Sequence, residues 1–358
     1  MENTEQTKKR RIPGKYRWII LLIIVGNIIA VGAVSPIVSP HIQVPAEPVF
    51  GPINLPVLGP LFVTNTLIAT FIADILLLLV AISVKRASRG DNLFFSGIPG
   101  VIELLIEALH GLVESTAGKW GKHIFPWMAT IFLLVITVNY IELIPGVESI
   151  GRLHEPHHGA PVYRTEELFT IGTLNVRTLT EEIEIGPGEE EPHFEEGELS
   201  GFVGFVRPAS SDLNFTIALA LISVGMTQVI GVRALGPGYF SKFFAFKNFG
   251  RMWTQRSLGP FDVIMPFIDI FVGLLELIAE LAKVLSFSFR LFGNIFAGGV
   301  LLIIIGTLIP VAAQSGVMFL ELFVGGVQAF VFAMLTLVFM SMATQSHDDH
   351  EGEEAHAH

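Results

Sequence analysis

The chain has 358 residues, 51% of them hydrophobic and only 15% charged, and its mean hydropathy of +0.61 excludes an ordinary soluble globular protein. A net charge of −11 excludes the basic face that nucleic-acid binding needs, and the lack of cysteine excludes a disulfide framework, thiolate zinc sites and a cysteine nucleophile. The composition instead predicts an integral membrane protein, and the length of its apolar segments an all-α one with five to six transmembrane helices.

Apolar segments near residues 17–35, 61–84, 124–145, 213–235, 261–309 and 316–344 each reach the ~20 residues that a spanning helix needs. The first, preceded by KKRRIPGKYR and followed by AVGAVSP, reads either as a signal anchor or as a signal peptide cut after a small-residue site. Both readings place residues 36–60 outside. Lys85, Arg86 and Arg89 follow the second segment and Lys119 and Lys122 precede the third, so the connection between them is cytoplasmic by the positive-inside rule. Within it, GVIELLIEALHGLVEST repeats Glu103, Glu107, His110 and Glu114 at helical spacing, with Leu104, Leu105, Ala108 and Leu112 on the other side. That pattern predicts an amphipathic helix near 97–118, lying along the membrane or against a partner.

The connection over 146–210 is rich in glutamate (EELF, EEIEIGPGEEEPHFEEGE) and reads as an exported, solvated loop. The next one carries Arg233, Lys242, Lys247, Arg251 and Arg256 and is inside. The chain thus divides into a leader (1–40), a first membrane half (41–145), the acidic extracytoplasmic loop (146–210), a second set of helices (211–344) and an acidic, histidine-rich cytoplasmic tail (345–358).

No proline interrupts the stretch between Pro266 and Pro310. A helix of that length runs about 65 Å, twice the ~30 Å hydrocarbon core, so it must tilt strongly, kink at its glycines or project into water. Asp262, Asp269, Glu276, Lys283 and Arg290 are each seven apart, and Glu280 and Asn294 lie four beyond Glu276 and Arg290. Seven residues is two turns less ~20°, so these side chains share one slowly drifting face. A charge at bilayer depth costs at least ~2.5–3.5 kcal/mol and marks a partner, a cavity or an ion path. For Asp262 and Asp269, close to the basic inner loop, a plain surface position explains the charge equally well.

On the last helix, Glu321 and Gln328 are again seven apart, and the short PVAAQSG turn makes this helix antiparallel to the one before. Counting from the turn, Gln328 lies near the depth of Arg290 and Asn294, and Glu321 near Gly298 and Gly299. An interhelical hydrogen bond is the plain alternative for Gln328. Further polar groups in apolar surroundings are Asp74 with Thr66 and Thr70, Asn139 with Glu142, and Asp212 with Asn214. Asp212, just before an apolar run, is also a good helix N-cap.

The run SFSFRLFGNIFAGG, with QAFVFAMLTLVFMSMA downstream and PASSDLNFTIALAL upstream, resembles subunit a of F-type ATP synthases, the stator half of the membrane motor. The likeness covers roughly 62–145 and 208–344. It implies that Arg290 faces a carboxylate on each copy of a rotating proteolipid c-ring. A permanent cation there favours the ionised carboxylate and separates two aqueous half-channels. The resemblance further implies an outer path lined by Asn139, Glu142, Asp212, Asn214, Glu321 and Gln328, with Asn294 beside the arginine, and an inner path involving Glu276 and Glu280. It implies peripheral-stalk b subunits and the remaining ATP synthase subunits as partners, a multi-pass place in the bacterial plasma membrane, and last helices that lie obliquely as a hairpin. No cofactor and no metal follow from it. One departure stands out: many members carry an ionisable residue nine positions after the arginine, where this chain has Gly299. Glu321 then carries the proton-transfer role without a side-chain partner.

Two competing readings are weaker. The HEPHH run at 154–158 matches the zinc-protease pattern, but Pro156 within it and Gly151, Gly159 and Pro161 around it oppose the helix that chemistry requires. A stand-alone proton-coupled transporter would show internal repeats, and none is visible. No G-x-x-x-x-G-K-[ST] phosphate loop is present, so any nucleotide chemistry belongs to partner subunits.

Overall fold

The computed structural model describes residues 46–56, 59–88, 97–144, 146–154, 162–171, 174–183, 199–243, 260–308 and 312–345, together with Trp18, Leu21, Leu22, Val25, Gly26 and Ile29. Those six residues are helical, and the rest of the predicted leader lies outside the described residues, as do residues 155–160 of the histidine-rich run and the tail from residue 346.

Among the described residues, six long α-helices with defined ends carry the fold: α1 Asn65–Ala87, α2 Ile98–Ala117, α3 Gly121–Glu142, α4 Leu213–Leu235, α5 Pro260–Leu308 and α6 Ala312–Met342. Among the described residues five helical stretches are long and apolar enough to cross a membrane: Asn65–Ala87, Ile98–Glu142, Leu213–Phe240, Phe267–Gly306 and Ala313–Met342. Their boundaries follow local chemistry. Thr64 caps α1, its hydroxyl accepting from the Leu67 N–H, and Asp212 caps α4 by accepting from the Asn214 N–H. Helix α4 ends at Gly236, whose φ of +66° a side chain would oppose. With no proline after Pro266, α5 runs unbroken through Gly293, Gly298 and Gly299 for 49 residues, about 73 Å.

The described residues form two compact units. One takes Gln43–Arg152, Val203–Phe296 and the chain from Leu322 onward. Its core joins Leu109 and Val113 of α2, Ile124, Met128 and Val135 of α3, Leu219 and Ala220 of α4, Phe287 and Leu291 of α5, and Ala329, Phe332, Ala333 and Leu337 of α6. Alanines on α6 let the neighbouring helices approach closely. Hydroxyls bond across this core: Ser223 of α4 with Thr336 of α6 at 2.8 Å, and Ser341 of α6 to the Thr116 carbonyl at 3.0 Å. Helix α1 buries mainly Asn65, Thr66, Ala69 and Ala73, and presents Phe71, Ile75, Leu78 and Leu79 outward as a lipid-facing helix would. A hairpin of β1 (Pro48–Leu55) and β2 (Gly59–Thr64) precedes it, with Leu55 opposite Gly59.

On helix α2, Leu105, Leu109 and Val113 face the core, so of the expected apolar side Leu105 is covered and Leu112 half-buried, whereas Leu104, 69% exposed, and Ala108 point away from it beside Val101. The helix carries two apolar stripes and an acidic one, and α3 covers only the first.

The other unit takes Leu153–Phe202, Ala297–Glu321 and the described residues before Ile42. The segment read as a solvated loop contains a long antiparallel hairpin, β4 Val162–Ile171 with β5 Leu174–Ile183, pairing from Val162 opposite Ile183 to Ile171 opposite Leu174 with register shifts after Arg164 and after Glu167. Strand β6 (Leu199–Gly204) pairs with β4 at Ser200 and Tyr163, while the short β3 spans Gly151–His154. The described residues are therefore mostly helical, with strands before α1 and between α3 and α4. In the same unit Gly298 lies beside Glu321 and Gly306 beside Gln314, the antiparallel register of a helical hairpin.

Candidate intramembrane ion path

Helix α5 sorts its polar residues by direction. Its core face is Val284, Phe287, Ser288, Leu291 and Ile295, while Arg290 and Asn294, one turn apart, are exposed. Leu281, Leu285 and Phe289 are also exposed, so a permanent cation sits on an otherwise apolar or small outer surface. The residues four before and three after Arg290 are Ser286 and Gly293, which leave the backbone beside the guanidinium open to close approach. Nearer the helix start, Glu276 is half-buried and Glu280 is buried, with its Oε1 3.0 Å from the Lys283 ammonium.

Glu321, on α6, is buried, and its Oε1 accepts no hydrogen bond among the described residues. Its carboxylate fills the place where a Cβ on residue 298 would stand. Of the two glycines expected at the depth of Glu321, it is thus Gly298 that makes room for it, while the departure from the family falls at Gly299. Gln328, two turns further along α6, is half-buried.

Four of the predicted residues lie at the junction of α3, the turn at Ala209–Ser211 and α4. Asn139 is 2% exposed and both ends of its amide are engaged: Oδ1 accepts from the Ser210 hydroxyl at 2.6 Å, and Nδ2 donates to the Gly325 carbonyl at 3.1 Å. Asp212 accepts from the Thr66 hydroxyl and from the Asn214 N–H, each at 2.9 Å. Glu142 is buried at the end of α3, and the Asn214 side chain is exposed. A Cβ on Gly326 would meet the Tyr140 hydroxyl at 2.7 Å, so the glycine pair of α6 is what lets α3 sit against it. Ser210, Tyr140 and the pair Gly325–Gly326 were not singled out from sequence; the only local signal was a glycine pair inside an apolar helix beside a polar one.

Buried carboxylates and amides among membrane-spanning helices, with an exposed arginine on the longest of them, are features of an ion-translocating membrane protein. The sequence profile of the family described as ATP synthase A chain matches residues 66–341. The chain is 25% identical over 297 residues to ATP synthase subunit a of Moorella thermoacetica, covering 83% of this chain and 98% of that one. It is 26% identical to the Mycobacterium marinum subunit a (82% and 92% covered) and 30% identical to that of Pseudoalteromonas atlantica (70% and 79% covered). The chain belongs to the ATP synthase A chain family. It is a multi-pass membrane protein of a multi-subunit ATP synthase, and proton transport coupled to ATP synthesis follows from that membership.

Proposed function

We propose that this chain is the proton-conducting stator of a rotary motor in the bacterial plasma membrane, acting through two offset half-channels against a ring of proteolipid c subunits, with b subunits of the peripheral stalk holding it still. The observation that carries this reading is the exposure of Arg290 on an apolar surface of α5, flanked by Ser286 and Gly293. A guanidinium in such a place needs a carboxylate, and a carboxylate on a neighbouring moving helix is the partner that turns this cost into function. Facing the arginine, the ring carboxylate is held ionised and releases its proton; past it, in lipid, it must be protonated. The arginine cannot itself pass a proton on, so it separates the two paths.

On the family resemblance we assign Glu142, Asp212, Asn214, Asn139, Glu321 and Gln328 to the outer path, with Asn294 one turn from the arginine. Glu321 is its proton-transferring group, and the space kept for its carboxylate by Gly298 supports that role. The inner path opens at Glu276. Each proton carried through the full potential supplies about 2.3 kcal/mol per 100 mV, which drives rotation.

The test is Arg290→Ala in inverted membrane vesicles: the complex should assemble with its ATP-hydrolysing head, and ATP-driven proton pumping should be lost. Normal coupled pumping by this variant overturns the assignment.

A further inference from the structure

We propose that Glu280 is not a station on the proton path but the fixed counter-ion of Lys283, and that the two, with Phe339, form a clamp that positions the inner stretch of α5 on α6. This refines the inner half-channel proposed above and rests on that reading.

Three contacts carry the proposal. The Lys283 ammonium lies 3.0 Å from Glu280 Oε1, one helical turn back, and Glu280 is only 7% exposed. The same ammonium stands over the ring of Phe339 of α6, 4.9 Å from its centroid, well within the ~6 Å reach of a cation–π contact. One turn further along α5, Phe287 stacks on the same ring, with centroids 5.5 Å apart and planes at 24°, and it also touches Phe332 at 5.1 Å. Two successive turns of α5 therefore grip one ring of α6, one with a cation and the other with a ring. Phe287 is fully within the core, and Arg290 follows three residues later.

The chemistry separates Glu280 from a proton carrier. A carrier must alternate between charged and neutral forms. A neutral Glu280 would leave the partly buried Lys283 ammonium without the carboxylate oxygen that stands 3.0 Å from it. As a pair, the two residues add no net charge two turns from Arg290, so the arginine keeps sole control of the field at the ring. Glu276, one turn before Glu280 and half-buried, is the inner acidic group outside this clamp.

The pair makes a distinctive prediction because a counter-ion can be removed together with its partner and a proton carrier cannot. In membranes containing the whole ATP synthase, Glu280→Gln and Lys283→Met should each lower ATP-driven proton pumping about threefold or more. The double variant should return to within about twofold of wild type, with an unshifted pH profile. Lys283→Arg, which keeps both the charge and the ring contact, should pump normally, and it guards against the single variants failing only through poor assembly. Unimpaired single variants overturn the proposal. So does a double variant as slow as Glu280→Gln, a shifted pH profile, or an inactive but assembled Lys283→Arg. Glu276→Gln, measured in parallel, reads the half-channel itself: normal pumping there would remove the inner-path reading whatever the behaviour of the Glu280–Lys283 cycle.

Discussion

The carboxylate of Glu321 on α6 occupies the volume that a side chain at position 298 of α5 would need, so Gly298 and Glu321 form a matched pair of absence and presence. The family resemblance draws attention to position 299, but it is the neighbouring glycine that accommodates the acid. The vacancy is specific, since even a single methyl group at 298 would collide with the carboxylate.

Gly298→Ala is therefore expected to push Glu321 aside and slow ATP-driven proton pumping about tenfold to a hundredfold, the usual consequence of displacing a transfer group by an ångström. Shortening the acid should relieve the collision, so Gly298→Ala with Glu321→Asp should pump faster than Gly298→Ala alone. Pumping rates in vesicles with matched amounts of complex check this, and an unimpaired Gly298→Ala variant would show that the carboxylate does not depend on that space.

A second close approach predicts stability rather than rate. Gly326→Ala would set a methyl 2.7 Å from the Tyr140 hydroxyl, whereas the next nearest atom of that ring is at an ordinary 3.8 Å. The expected loss is about 1–3 kcal/mol, as for other overpacked cores. Tyr140→Phe removes the offending oxygen and should restore most of it. Thermal unfolding of the detergent-solubilised complex reads the effect, and a Gly326→Ala defect that Tyr140→Phe leaves unchanged would place the strain elsewhere.

Asp212 has a structural duty and a proposed functional one, and substitutions can part them. Asparagine keeps an acceptor for the Asn214 N–H and caps as well as aspartate, whereas alanine loses the cap at about 1 kcal/mol. Asp212→Asn should assemble normally yet pump severalfold more slowly, because the charge in the outer path is gone. Pumping at the wild-type rate would leave Asp212 with its capping role alone.

How much of this was readable from residues alone depends on the kind of physics involved. Helices α1, α3, α4, α5 and α6 were legible because hydrocarbon admits only long apolar segments whose backbone groups are satisfied internally. The hairpin β4–β5 was not, because a glutamate-rich composition reads as solvated chain while Tyr163 and Thr165, both buried, carry the strand's inward face. On α2 the helix was legible but its covered face was not: stripes through Leu104 and through Leu105, Leu109 and Val113 are both apolar, and only the packing of α3 decides between them.

By itself, then, the sequence determined the membrane class, five of the spans, and Arg290 as a permanent charge in an apolar helix, because the costs of apolar exposure and of charge burial are properties of each segment alone. Tertiary structure decided which residues meet: Gly298 rather than Gly299 with Glu321, Asn139 with Ser210 and Gly325, Thr66 with Asp212, and Lys283 with Phe339. Helical periodicity sets the direction of a side chain around one axis. It does not set the axial offset between two helices, and a shift of one residue, 1.5 Å, would bring the neighbouring residue, not Gly298, to Glu321.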